Sequence, residues 1–267
     1  MPDLDGVDVK LARAHCHLND LTAQVDHELA TWGYTFSSAI EGTPPVLVFR
    51  VHGIPTVKPE WSAIVGDILT NLRAALDHLA WQLVILDGQV PGHQTSFPLV
   101  DSPANRAGHS RTIVKPRGWK HGDPGLLRPD LRATVESVQP YQYADSSEGA
   151  RQGALWQLGH LCNVDKHREL LIVNLFPDDV WWGSAEGDPS PIVTYNAKPE
   201  HDGAWVVRFD FAGKEPPEHF TPHVGRLVVV LDEGPATLFT SPIQHTMAAM
   251  TALVEDTIVN AFRPFFV

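Results

Sequence analysis

The segment from Trp61 to Leu86 constrains the fold most strongly, because it is the longest stretch with helical hydrophobic periodicity and no internal proline. At about 100° per residue, one face of this predicted helix collects seven apolar side chains: Val65, Ile68, Leu69, Leu72, Leu76, Leu79 and Leu83. Such a face has to pack against other elements. Pro59 suits the first turn and Gly88 suits the stop, so the segment predicts a long helix at the centre of a core.

The same predicted helix carries two polar stripes beside its apolar face. The first polar stripe consists of Asp67, Asn71, His78 and Gln82. The second polar stripe consists of Arg73 and Asp77, which are separated by one helical turn and are therefore able to form an ion pair. The helix is thus predicted to contribute both to the core and to a polar surface or site.

A second polar helix is predicted from Asp145 to about His167, with Asp145 as its cap and Glu148 at the position of a capping box. This second helix carries one polar stripe, which we call the third polar stripe. It consists of Trp156, His160, Asn163 and His167. If this stripe faces the first one across a helical bundle, three histidines and a carboxylate converge. Such a set is able to bind a metal ion or to transfer protons near neutral pH.

The order of the remaining elements predicts an α+β fold. We expect a helix at Val7–Thr31, a short helix at Leu126–Val138, a C-terminal helix from Ser241, and strands at Tyr34–Ile40, Val46–Val51, Leu170–Phe176, Ile192–Tyr195, Ala204–Phe211 and Arg226–Leu231. No βαβ alternation is present, which argues against a doubly wound parallel sheet. The prediction is one domain, residues 1–267, in which four to five helices pack with an antiparallel sheet. Its helical core covers 58–168, its strand-rich part 169–235 and its C-terminal helix 241–262.

Composition favours a soluble intracellular protein with a cytoplasmic location. Hydrophobic residues make up 43% and charged residues 19% of the chain, which is typical of globular proteins. The acidic N-terminus lacks the apolar region of a secretory signal, and no apolar run is long enough to span a membrane. The two cysteines, Cys16 and Cys162, are too few for a disulfide framework or a cysteine metal site.

Charge is distributed unevenly along the chain. The total is −12, yet the segment from Arg106 to Arg132 holds seven basic residues and two acidic ones. An acidic body with one basic segment favours a local anionic ligand over a long polyanion such as a nucleic-acid duplex. The plain alternative is that this segment, most of which lies in the long predicted loop 89–125, is solvated.

The two polar helices resemble an uncharacterised family of bacterial proteins. In this sequence the matching segments are GDILTNLRAALDHLAWQLV and LWQLGHLCNVDKHREL, with the loop Thr95-Ser96-Phe97-Pro98 between them. The family pattern is a GDxLxNLRxALDHLxxxL helix followed by an LxxLxxxDKHR helix, with an FP loop between the two. This resemblance covers both helices and the loop, and it implies no established activity.

The pair Arg73 and His78 also forms an R-x4-H motif, which is similar to that of HEPN helical ribonucleases. In that family an Arg and a His on one helix line a cleft, usually at a dimer interface, and cleave RNA without metal. The resemblance implies an RNA or small phosphate-containing ligand and a homodimer. It gives catalytic roles to Arg73, which would hold the phosphate, and to His78, which would transfer the proton, with His167 in support. The ligand-binding candidates beside them are Asp67, Asn71, Asp77, His160, Asn163, Asp165, Lys166 and Arg168.

Two alternatives stand beside the ribonuclease hypothesis. In the first, the protein is a non-catalytic ligand-binding or interaction protein, and its polar stripes are hydrogen-bonded networks that fix helix packing. In the second, the histidines bind a metal in a hydrolytic or oxidative enzyme. The sequence contains no HExxH or ExxH motif and no ferritin-like carboxylate spacing, so no resident cofactor is predicted.

Overall fold

The computed structural model describes residues 1–93, 95–102, 127–167, 173–196, 199–231 and 241–267. They form helices and antiparallel sheets, which confirms the α+β class. The chain divides into two compact units. Unit 1 comprises Met1–Thr22, Glu60–Leu171 and Gln244–Val267, and unit 2 comprises Ala23–Pro59 and Ile172–Ile243.

The helices have the following bounds: α1 Asp5–Thr31, α2 Pro59–Leu86, α3 Pro129–Ser137, α4 Ser147–Gln152, α5 Ala154–His167 and α6 Ile243–Ala252. After α6 the chain continues as a π-helical segment, Leu253–Val259, and ends in short helical turns up to Phe266. None of the helices in the described ranges combines the length and the apolar character needed to cross a membrane.

Helix α2 forms the centre of the core of unit 1, as its periodicity predicts. All seven residues of the predicted apolar face are fully buried. The helix starts at Pro59 and stops before Gly88, which has a φ of 76°. The Gly88 N–H donates to the Ile85 carbonyl and the Gln89 N–H to the Val84 carbonyl, so the terminal carbonyls are satisfied by a glycine-ended cap. Local sequence signals therefore determine both ends of this helix.

The predicted continuous helix from Asp145 to His167 is wrong at one position. Gly153 has an extended backbone, with φ −72° and ψ 144°, and it separates α4 from α5. The cap of α4 is Ser146 rather than Asp145, since the Gly149 N–H donates to Ser146 Oγ at 3.0 Å. Glycine has a low helix propensity, which makes a break at Gly153 inexpensive.

Unit 2 contains two antiparallel sheets. The strands are β1 Thr35–Glu41, β2 Val46–His52, β3 Val173–Gly183, β4 Ile192–Tyr195, β5 Trp205–Asp210 and β6 Thr221–Leu231. One sheet has the order β1-β2-β5-β4, and the other is a ribbon of β3 and β6. Phe209 on β5 makes edge-on ring contacts with Phe49, Trp182 and Phe220, which join the two sheets through an aromatic core. Strands β3 and β6 extend well beyond their predicted bounds.

Two ion pairs of unit 2 are expected to stabilise it less at acid pH. Arg50 donates to both carboxylate oxygens of Glu41, at 2.8 and 2.7 Å, and Lys58 donates to Glu28 at 2.5 Å. These hydrogen bonds lower the pKa of Glu41 and of Glu28 below the ordinary value of 4.5. Carboxyls with a lowered folded-state pKa stabilise the fold above pH 4.5, and this stabilisation disappears as the pH falls through the folded-state value.

We therefore expect the urea midpoint of unit 2 to fall as the pH drops below the ordinary carboxyl pKa of 4.5. Urea titrations followed by circular dichroism at several pH values measure this. The Glu41→Gln variant has one titrating pair fewer, so its midpoint should depend less steeply on pH. Equal pH dependence in the variant and the natural chain would contradict the assignment.

Candidate functional site

Helices α2 and α5 pack antiparallel in unit 1. The Cys162 thiol donates to the Leu69 carbonyl at 3.2 Å, and the Asp165 carboxylate lies against Gly66. Further along, Arg73 lines the same cavity as His160. Because the numbers rise along α2 while those of the α5 partners fall, the two helices run in opposite directions. The face of α2 that meets α5 is therefore the one carrying Gly66, Leu69 and Arg73.

Gly66 explains how closely the two helices approach. A Cβ atom at this position would be 2.6 Å from Asp165 Oδ1 and 3.0 Å from Oδ2, which is shorter than normal contact. The missing side chain leaves room for the Asp165 carboxylate over the backbone of α2. Asp165, a predicted ligand-binding residue, thus lies in the contact between α2 and α5.

Arg73 and Asp77 hold the loop 95–99 through two hydrogen bonds, and a third hydrogen bond joins the two side chains to each other. Arg73 Nη2 donates to Asp77 Oδ1 at 2.9 Å and to the Phe97 carbonyl at 2.8 Å. Asp77 Oδ1 also accepts from the Phe97 N–H, at 2.9 Å. The Phe97 ring is 1% exposed and packs edge-on against Phe262, with centroids 6.2 Å apart. The second polar stripe therefore binds both backbone groups of a buried loop residue, in addition to forming the predicted ion pair.

A cavity of about 340 Å³ lies between α2, the loop 96–99 and α5. Arg73 contributes to its wall from α2, and Trp156, His160 and Asn163 contribute from α5. The Trp156 and His160 rings are stacked, with centroids 5.2 Å apart and an interplanar angle of 12°. Arg73 of the second polar stripe and three residues of the third thus line one cavity, whose volume is at the lower end of the range for small-molecule sites.

The cavity offers hydrogen-bond donors suited to an anion. A guanidinium has five N–H donors, and the two hydrogen bonds that Arg73 makes to described residues both use Nη2. Among the described residues, none accepts a hydrogen bond from Nε or Nη1. The His160 imidazole and the Asn163 amide supply further polar groups on the opposite wall. Guanidinium groups are the preferred partners of phosphate and carboxylate oxygens in proteins.

Two residues of the first polar stripe, His78 and Gln82, lie against α1 and the residues just before it. His78 is exposed, and its Nδ1 lies 2.6 Å from the position of a Cβ on Gly6. The Asp3 N–H donates to Gln82 Oε1 at 3.2 Å. Arg73 and His78 are five residues apart, which turns them about 140° from one another around the helix axis. His78 therefore does not line the cavity that Arg73 lines.

The remaining residues of the first stripe lie near the solvent. Asp67 is exposed, and the Asn71 side chain donates to the Asp67 carbonyl at 2.8 Å, within the same helix. Neither residue lines the cavity. The convergence expected for Asp67, Asn71 and His78 with the third stripe is replaced in the structure by a convergence of Arg73 with that stripe.

Three predicted residues at the end of α5 lie outside what the structure describes. The side chains of Lys166 and His167 and the whole of Arg168 belong to this group. The same holds for most of the basic segment, from Arg106 to Lys120. Their places in the site stay predictions.

In the part of the chain that the structure describes, no group of three or more His, Cys, Asp or Glu residues is arranged to hold a metal ion. One part of the site was not assigned from the sequence, namely the wall formed by the loop 96–99. The signal for it was present, since the Phe97-Pro98 pair lies in the sequence between the two polar helices. No family model, no curated protein and no solved structure matches this chain.

Proposed function

We propose that this protein binds a small phosphate-containing ligand in the cavity between α2, the loop 96–99 and α5. The observation that supports this most directly is that Arg73 and His160 line the same cavity. A guanidinium with unused donors supplies charge-assisted hydrogen bonds, which are about twice as strong as neutral ones. The chain as a whole has a net charge of −12, so binding of an anion requires a local positive group of this kind.

Metal-independent, HEPN-like RNA cleavage is the catalytic form of this proposal. Arg73 would hold the scissile phosphate, the role that the R-x4-H resemblance implies for it, although His78 of the same motif does not line the cavity. The position of His160 in the cavity of Arg73 favours this residue over His78 for proton transfer, because a general base has to reach the proton that it removes. The ligand is then an RNA segment whose phosphate enters the cavity.

A non-catalytic role is supported by a different observation. Arg73, Asp77 and the Phe97 backbone form a closed set of three hydrogen bonds, as expected of a network that fixes packing. In this case the same residues stabilise unit 1, and the cavity binds its ligand without changing it. Both forms of the proposal include the phosphate site, but only the catalytic form predicts cleavage of the ligand.

Two assays on the purified full chain test the proposal. Calorimetric titration with ribose 5-phosphate tests binding, and incubation with total RNA, with and without EDTA, tests cleavage. We expect saturable binding that weakens by about tenfold or more in His160→Ala and is retained in His78→Ala, because only His160 lines the cavity. Cleavage that survives EDTA and is lost in His160→Ala supports the ribonuclease form. Absence of ribose 5-phosphate binding would contradict the proposed phosphate site in both its catalytic and its non-catalytic form.

A further inference from the structure

The ribbon of β3 and β6 in unit 2 displays a polar and aromatic face that the proposed phosphate site does not involve. Three cross-strand positions, at every second residue along the strands, share this face. Trp181 is paired with His223 and Gly183 with Thr221. Asp179 lies opposite Gly225, between the pairs Asp178–Arg226 and Val180–Val224. We name the six residues of these three positions the Trp181 face.

Trp181 and His223 form an aromatic platform at the centre of this face. Their rings are stacked, with centroids 4.8 Å apart and an interplanar angle of 23°. Trp181 is nevertheless 53% exposed, which is a high value for the largest apolar side chain. Because the imidazole covers one side of the indole, the exposed area belongs to the rest of the ring. An indole surface is therefore held in a defined orientation and remains accessible.

Two glycines make room for polar side chains beside the platform. A Cβ at Gly225 would be only 2.4 Å from Asp179 Oδ2, and a Cβ at Gly183 would be 2.8 Å from Thr221 Oγ1. The Asp179 carboxylate and the Thr221 hydroxyl thus lie across the ribbon, one on each side of the stacked rings. Alternate residues of a strand are about 6.6 Å apart, which is comparable with the size of one pyranose ring.

The position of Asp179 is fixed by its backbone and by its neighbour. Its φ is 56°, a left-handed conformation that few non-glycine residues adopt. The same conformation brings Asp179 Oδ2 to 3.6 Å from His223 Nε2, within reach of an ion pair when the imidazole is protonated. The face therefore presents a carboxylate, an imidazole and a hydroxyl around one exposed indole.

We propose that the Trp181 face binds a neutral saccharide whose ring hydroxyls are all equatorial. The C–H side of such a pyranose is apolar and flat, and it stacks on an aromatic ring. Its hydroxyls radiate from the ring edge and require both donors and acceptors. Asp179 accepts, while Thr221 and His223 are able to donate or accept, so the groups that flank the indole match this requirement.

The same chemistry disfavours two other ligand classes. A cation is bound best between several aromatic walls and acceptors, whereas here the second wall is His223, which becomes positive when protonated. A single-stranded nucleic acid needs basic residues for its phosphates beside the stacking ring. The carboxylate closest to Trp181 on this face, Asp179, repels a phosphate instead.

Titration of the full chain with cellohexaose, followed by tryptophan fluorescence and by calorimetry, tests this inference. We expect saturable binding that weakens by about tenfold or more in Trp181→Ala and by a smaller factor in Asp179→Asn. Trp81→Ala is the matched control, because Trp81 is 42% exposed on α2 and belongs to unit 1. Circular dichroism shows whether each variant is folded. If Trp181→Ala does not fold, the affinity of Asp179→Asn for cellohexaose becomes the test.

Three outcomes would overturn the saccharide site. They are the absence of saturable binding to cellohexaose, equal affinity in Trp181→Ala and the natural chain, and binding of tetramethylammonium but not of cellohexaose. Since the Trp181 face belongs to unit 2 and Arg73 to unit 1, failure here leaves the ribose 5-phosphate titration unaffected.

Discussion

Replacement of Phe97 by alanine is expected to lower the free energy of unfolding of unit 1 by about 3–5 kcal/mol, the usual cost of deleting a buried phenyl ring. The Phe97 ring is 1% exposed and packs edge-on against the fully buried Phe262. The backbone of Phe97 is held at the same time by Arg73 and Asp77. Loss of the ring leaves a cavity beneath the loop that forms one wall of the proposed site.

Urea unfolding followed by circular dichroism measures this loss. Val90→Ala is the control, because Val90 is in the same connection after α2 and is 69% exposed, so its truncation should change stability by about 0.5 kcal/mol or less. We also expect Phe97→Ala to weaken ribose 5-phosphate binding, since the loop wall loses its anchor. A cost of under about 1 kcal/mol for Phe97→Ala would show that the ring is not a core residue.

Replacement of Arg73 by alanine is expected to have the largest effect on ligand binding. The change removes the guanidinium from the cavity and leaves the Phe97 carbonyl without its donor. Loss of a charge-assisted contact should weaken ligand binding by at least about tenfold. The unpaired Phe97 carbonyl should lower the free energy of unfolding by about 1–3 kcal/mol. Arg73→Lys keeps the charge but loses the planar fork, so it should recover only part of the affinity.

The control for Arg73→Ala is Arg13→Ala, which removes the same charge from an exposed position on α1. Calorimetric titration with ribose 5-phosphate at two salt concentrations separates the effects. A local site predicts that only Arg73→Ala weakens binding. Equal weakening by both substitutions would indicate a general electrostatic attraction to the protein and no defined site.

The elements that local signals define are those that the sequence predicts well. Helix α2 has a long apolar periodicity between Pro59 and Gly88, and its predicted core residues are all buried. The sequence does not distinguish Asp145 from Ser146 as the cap, since both are good caps, and it does not indicate the break at Gly153, since the apolar pattern continues past the glycine. Strand β3 was predicted too short because its second half is polar and aromatic, and its pairing with β6 depends on distant residues.

Part of the cavity wall follows from the sequence pattern, but its geometry does not. Periodicity assigned Arg73 to one stripe and His160 to another, and both line the cavity. Periodicity groups the residues of one helix into faces, but it does not indicate which polar face packs against another helix. Gly66 decides this choice, because a position without a side chain permits close approach of α5. His78 consequently lies on the side of α1, against Gly6.

The central claim is that Arg73 and His160 belong to one phosphate site and that His78 does not. The most direct measurement is a histidine-labelled NMR titration with ribose 5-phosphate at constant pH, with the signals assigned through His160→Gln and His78→Gln variants. We expect a saturable shift of the His160 resonance and a stationary His78 resonance, because of these two residues only His160 lines the cavity. A stationary His160 resonance, or a saturable shift of His78 alone, would contradict the claim.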